Sequence, residues 1–183
     1  MSTKIIFDWD DTLMCTSVIL KNVGYNFVEM EELEQNIINV LLISITLGKV
    51  YIITNAEYLW IIYCIDTYFL KLKESCVLDL VTIISARDLY HIKYPDNPLI
   101  WKICTFDTVC RETFTNNVIA FGDAPNDRTA IISVVYNMTD CMVKSYKLCE
   151  FPDIKVMNNQ LGFIIENLCS IVAINNNIDI ELI

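Results

Sequence analysis

The sequence predicts a doubly wound α/β fold built on a parallel sheet, and three observations predict it. Short apolar runs of strand length, at residues 5–7, 50–53, 80–84 and 118–121, alternate with longer segments of helical character. Each run ends abruptly in polar residues: Asp8 after the first, Thr54 after the second, Ser85 after the third, and Asp123 one glycine beyond the fourth. Only four Gly and four Pro punctuate the 183 residues, and no linker-like stretch divides them, so a single domain spanning 1–183 is expected. A chain of that length buries a sizeable core without staples.

Bulk properties narrow the function classes. The chain is 54% hydrophobic, yet no run of about eighteen apolar residues lacks a charge. Glu57 and Asp66 interrupt the longest candidate, and the start, Met-Ser-Thr-Lys, lacks the features of a signal peptide. A cytoplasmic protein with no membrane partner is the expectation. Eight scattered cysteines without a Cys-x-x-Cys pair fit reduced, buried thiols better than disulfides or zinc. A net charge of -10 argues against nucleic-acid binding, which depends on neutralising phosphates with Lys and Arg.

The elements follow in order. Residues 5–7 read as a buried strand that delivers Asp8 and Asp10 to its carboxyl end. Alternation puts those two acids on one side and Trp9 on the other. Asp11 makes three acids in four positions, a crowding that a divalent cation relieves; the plainer reading is an acidic turn in which Asp11 and Thr12 cap a helix. Residues 14–27 have no clean period and read as a loop or small hairpin beside this mouth, a candidate lid. A helix is expected from Asn26 to Gly48, its acidic start matched to the positive dipole end and Gly48 suited to its C-terminal cap.

The second strand ends at Thr54 and Asn55, a hydroxyl and an amide placed to bind phosphate at the N-terminus of the following helix. That helix, 56–73, is apolar nearly all round, which means burial on several sides or a homodimer contact. The third strand ends near Arg87, one of three arginines and a candidate substrate contact. Asn97-Pro98 opens a helix running toward Phe114 and carrying Lys102 in its first turns. The fourth strand breaks at Gly122 and presents Asp123 and Asp127. Four hard oxygen donors from two strand ends suit magnesium. A fifth strand at 141–148, a helix at 161–172 and a loose Asn-rich end at 175–177 complete the chain, so its C-terminal strand and helix fall within 141–174.

An apolar strand closed by Asp-x-Asp-x-Thr, a second closed by Thr54, a helical lysine and then Gly-Asp-x-x-Asn-Asp, all in order within residues 4–128, resemble the four motifs of the haloacid dehalogenase (HAD) superfamily. Lys102, 21 residues before Asp123, fits the third motif better than Lys93, 30 residues before it. The resemblance implies a HAD-like Rossmannoid core. It also implies a capless type, because about 36 residues separate Leu13 from Val50 and the following segment is equally short.

By resemblance, the activity is Mg2+-dependent hydrolysis of phosphomonoesters through an aspartyl-phosphate. Asp8 is then the nucleophile and Asp10 the general acid and base, with Thr54 and Lys102 neutralising the phosphoryl oxygens and Asn55 beside them. Mg2+ is held by Asp8, the backbone carbonyl of Asp10, Asp123 and Asp127. A capless mouth implies a large or exposed substrate such as a phosphoprotein. A 3'-phosphate nucleic-acid end-processing enzyme and a catalytically silent binding module are the alternatives.

Overall fold

The computed structural model describes residues 2–21, 24–135, 138 and 141–182. In chain order it runs β1 (Thr3–Phe7), α1 (Thr16–Leu20), α2 (Phe27–Leu47), β2 (Lys49–Thr54), α3 (Tyr58–Tyr68), α4 (Leu70–Glu74), a 3₁₀ turn (Val77–Leu80), β3 (Thr82–Ser85), α5 (Ala86–Tyr90), α6 (Pro98–Glu112), β4 (Asn117–Gly122), α7 (Pro125–Val135), β5 (Met142–Lys147), α8 (Ile154–Ala173) and β6 (Ile178–Glu181). The six strands form one sheet in the order β3-β2-β1-β4-β5-β6, and every pairing is parallel. Successive strands lie on one side of β1 up to β3 and on its other side from β4 onward. The winding therefore reverses between β1 and β4, where an open parallel sheet forms its crevice.

Strand alternation sorts the core into two layers. Ile5, Phe7, Val50, Ile52, Ile119 and Phe121 face α2, α3, α4 and α8. Ile6, Tyr51, Ile53, Val118 and Ala120 face α5, α6 and α7. Strands β1 and β4 are buried on both faces, as a covered parallel sheet requires. On the α2/α8 face Phe7 stacks on Phe121, and Phe121 on Tyr146, each at 5.2 Å between ring centroids, which ties β1, β4 and β5 together. Among the described residues no helix is long and apolar enough to cross a membrane, and no cap is evident between the strands. The eight cysteines are free; Cys15, Cys64, Cys110 and Cys141 are buried, whereas Cys76 and Cys169 are exposed.

Several boundaries differ from the sequence expectations, each for a tertiary reason. The 56–73 helix is two helices broken at Phe69, whose φ of -129° and ψ of 60° are not helical. Phe69 is wholly buried, edge-on to Trp9, and the carboxylate of buried Glu34 accepts from the Leu72 amide just beyond, so packing outweighs helix propensity here. Ile61, Cys64 and Ile65 face inward, whereas Leu59, Tyr63 and Leu70 lie exposed on the outer side. The third strand starts at Thr82 rather than Leu80 because residues 77–80 wind as the 3₁₀ turn. Within 14–27, residues 16–20 form the short helix α1 in place of a hairpin, and positions 22 and 23 lie outside the described residues.

The C-terminal helix starts at Ile154 instead of 161, with Asp153 accepting from the Val156 amide as its cap. The chain after 173 is not loose. Asn177 accepts from the Val143 amide, and β6 pairs with β5 while Arg128 grips Asp179 through two hydrogen bonds.

Gly48 does close α2, but with φ 179° its backbone is extended and any residue adopts it. Its requirement is space, since a Cβ there would meet the Thr3 carbonyl oxygen of β1 at 2.5 Å. Gly48→Ala is therefore expected to destabilise the protein by about 1–3 kcal/mol by pushing on the strand that carries Asp8. A urea midpoint unchanged from wild type would contradict this.

Candidate active site

The carboxyl ends of β1 and β4 meet at the switch point. Asp8 follows β1 directly, and its amide donates to the Phe121 carbonyl of β4 at 2.9 Å. Beyond it the chain turns sharply: Asp11 has φ 52°, its amide reaches Met14 O at 2.6 Å, and Met14 N returns to Trp9 O at 2.8 Å. The Asp11 carboxylate accepts from the Ser17 amide at 2.8 Å and the Ser17 hydroxyl at 2.5 Å, which anchors α1 to the turn. The third acid thus ties α1 to the turn, although Cys15, and neither Asp11 nor Thr12, is the cap residue of that helix, and Asp11 lines the mouth together with Asp8 and Asp10. Thr12 completes the link by accepting from the Asp123 amide at 3.1 Å, which joins the β1 and β4 loops.

From β4, Gly122 leads into Asp123, and Asp127 lies in the first turn of α7. Gly122 is obligatory here, because a Cβ would come within 2.6 Å of the Asp127 side chain. From α6 comes Lys102, 2% exposed, with Nζ 2.7 Å from Asp8 Oδ1 and hydrogen-bonded to Asp127 Oδ1. One oxygen each from Asp8, Asp123 and Asp127 lie within 4.8 Å of one another, and all three residues are buried. Lys93 is exposed over the Tyr94 ring and takes no part.

Around this cluster stand the polar groups expected from β2. Thr54 Oγ1 lies 3.3 Å from Asp10 Oδ2 and accepts from the Ala56 amide. Asn55 Oδ1 is buried with no hydrogen-bond partner. Asp8, Asp10, Asp11, Thr54, Asn55, Lys102, Asp123 and Asp127, together with Ala56, Ala124 and Asn126, line a cleft of about 300 Å³. Arg87 is not among them. It is exposed on α5 and pairs with Glu57 at 3.4 Å, so the structure does not bring it to the cleft. A larger groove of about 500 Å³, beside Ile132 and β6, holds a single carboxylate, Asp179, already paired with Arg128, and so offers no comparable chemistry.

Two contacts were not foreseen. Asp10 Oδ1 accepts from the Thr16 hydroxyl at 2.5 Å and from the Trp60 indole at 2.9 Å. Trp60 reads in sequence as one more apolar residue of its helix, and Thr16 falls in a segment without periodicity. The only available signal is that a half-buried indole N–H needs an acceptor.

Electrostatics favour a cation. Three carboxylates surround one ammonium, so the cluster is two positive charges short of neutrality. Burial, reinforced by Asp127 and opposed by Lys102, holds the Asp8 carboxyl well above the usual range. Burial and the neighbouring Asp127 and Asp11 push Asp123 up to about 7. Burial pulls the Lys102 ammonium down, but Asp127 and Asp8 reverse this and leave its pKa raised, so it stays a cation. Asp8 Oδ1 has no aligned donor although Lys102 is near, and Asp127 Oδ2 has none. Three buried carboxylates that bring one oxygen each within 4.8 Å of the others, with Asp127 Oδ2 unpartnered, fit a hard divalent cation held by Asp8, Asp123 and Asp127.

Compared with known proteins, the chain matches no protein-family model, no curated protein and no solved structure.

The sign of the pH dependence follows from Asp123. Its folded pKa of about 7 stands above the ordinary 3.8, so the cation-free fold holds a proton that the unfolded chain releases earlier. The stability this contributes is present below pH 3.8 and is lost as pH rises through 7. A divalent cation must displace that proton, and the Asp8 carboxyl is raised as well, so its apparent affinity should weaken at least about tenfold per pH unit below 7. The rise in Tm on adding Mg2+ is expected to be larger at pH 8 than at pH 5.5; an equal rise at both would contradict it.

Proposed function

We propose that this protein is a Mg2+-dependent phosphohydrolase of the HAD type that cleaves phosphomonoesters through an aspartyl-phosphate on Asp8. The observation that carries the proposal is the convergence at one switch point of three buried carboxylates, one buried lysine and a second acid, Asp10, held beside Thr54. Two acids of different surroundings support a division of labour. Asp8 lies in the buried cluster against Lys102, whereas Asp10 stands apart from the cation-binding oxygens, half-buried and hydrogen-bonded.

In this reading Asp8 attacks phosphorus in line while Asp10 protonates the departing oxygen. Asp10 then takes a proton from water as that water opens the aspartyl-phosphate, and Asp8 is regenerated as a carboxylate. Thr54 Oγ1 and the Lys102 ammonium face the phosphoryl oxygens, and the unpartnered Asn55 carbonyl is free to accept from a substrate hydroxyl or water. A bound Mg2+ supplies Lewis-acid neutralisation of the phosphoryl charge. Among the described residues no cap covers the cleft. Residues 16–20 are pinned to the turn through Thr16 and Ser17, and this supports a substrate that brings its own cover, such as a phosphorylated protein surface.

An aryl phosphate should be hydrolysed with Mg2+ and not in excess EDTA. Asp8→Asn is expected to abolish turnover with the fold intact, whereas Asp10→Asn should still form phosphoenzyme and slow its breakdown by about a hundred- to ten-thousandfold. Phosphopeptides should exceed small sugar phosphates in kcat/KM. Undiminished turnover in EDTA or by Asp8→Asn would end the proposal; a preference for one small phosphorylated metabolite would end its substrate half.

A further inference from the structure

The two oxygens of Asp10 have different surroundings. Oδ1 accepts from both the Trp60 indole at 2.9 Å and the Thr16 hydroxyl at 2.5 Å, which fills its two lone pairs. Oδ2 has one hydrogen-bond partner, Thr54 Oγ1 at 3.3 Å, and Thr54 also lines the cleft. We propose that Trp60 is a positioning residue: its indole N–H commits Asp10 Oδ1 to accepting hydrogen bonds and leaves Oδ2, beside Thr54, as the oxygen that passes protons to and from the substrate. This rests on the phosphohydrolase reading above and adds to it a residue that none of the four motifs contains.

The chemistry of the donor makes the assignment. A hydroxyl such as that of Thr16 can rotate and accept, but an indole N–H is a donor only, so a proton on Oδ1 would face another proton. Trp60 is also held from behind. Its ring stacks on Tyr63 at 5.7 Å and 25°, and Tyr63 meets Tyr68 edge-on at 6.4 Å. The start of its helix is fixed twice, by the Ala56 amide on Thr54 Oγ1 and the Tyr58 amide on Asp88, each at 2.9 Å. Thr54 therefore touches both the working oxygen and the segment that brings Trp60 to the other one.

The proton path then balances. In the first step the Oδ2 proton moves to the leaving oxygen as its bond to phosphorus breaks and the bond from Asp8 forms. In the second step Oδ2 recovers a proton from water as the water oxygen bonds phosphorus and the Asp8 bond breaks. Fixing the carboxyl group by Oδ1 sets the direction in which Oδ2 points, and proton transfer depends steeply on that geometry.

The test is the leaving-group dependence of the first step, read as single-turnover release from 2,4-dinitrophenyl phosphate, which departs unaided, and from an alkyl phosphate, which needs its proton. Trp60→Phe is expected to slow alkyl release by roughly ten- to a hundredfold and dinitrophenyl release by less than about threefold, with KM and the Mg2+ midpoint nearly unchanged. In an Asp10→Asn background the same substitution should cost nothing more, because Trp60 acts through Asp10. Should Trp60→Phe fail to fold, Trp60→3-benzothienylalanine, which keeps the ring shape but carries no N–H, should give the same leaving-group pattern. Equal slowing of both substrates, no slowing, or a further loss in the Asp10→Asn background overturns the positioning role while the phosphohydrolase reading stands. Wild-type protein inert on every phosphate overturns both.

Discussion

The Lys102 ammonium, buried among carboxylates, is the constraint on which the rest of the molecule depends. It lies 2.7 Å from Asp8 and hydrogen-bonds Asp127, and nearly all of it is out of solvent. Removing one partner of such a buried pair leaves an uncompensated charge and typically costs about 3–5 kcal/mol. The ammonium also spans three elements: α6, the end of β1 and the start of α7. The neighbouring features follow from the need to keep it matched. Gly122 lacks a side chain so that Asp127 can approach, Thr12 holds the Asp123 amide, and Asp11 accepts from the Ser17 amide and hydroxyl at the start of α1.

The same cluster explains why the fold is spent on this edge of the sheet. Lysine and aspartates balance only if a further positive charge arrives, and burial together with the crowding of neighbouring carboxylates raises the carboxyl groups of Asp8 and Asp123. A site that only stabilised the fold would gain from fewer acids, since apolar replacements of buried ion clusters are often neutral or better. An arrangement that costs stability without a ligand is the signature of a site shaped for one. Charge shortage and a strand-end crevice therefore point the same way, toward a site that could bind a metal ion.

Much of this was legible in the sequence because it depended on local rules. Apolar runs that end in polar residues marked the strand ends, and the Asn97-Pro98 start placed α6, which carries Lys102 to the carboxylates while Lys93 stays outside. What sequence could not show depended on contacts between distant residues. The break at Phe69 comes from packing on Trp9, the strand β6 from Arg128 gripping Asp179, and the second support of Asp10 from an indole fifty residues away. Arg87 illustrates the converse. Its place after a strand end was suggestive, but the strand is the sheet's edge, remote from the switch point, and the side chain pairs with Glu57.

The central claim is that Asp8 carries the phosphoryl group, and borohydride trapping during turnover reads it directly. An acyl phosphate on an aspartate is reduced to homoserine, whereas a free carboxylate is not. Peptide mass spectrometry after quenching a reaction with Mg2+ and an aryl phosphate is expected to find homoserine at position 8 and aspartate at positions 10, 11, 123 and 127. Steady turnover with aspartate still intact at position 8 would contradict the account, because water would then be attacking phosphorus without a covalent intermediate.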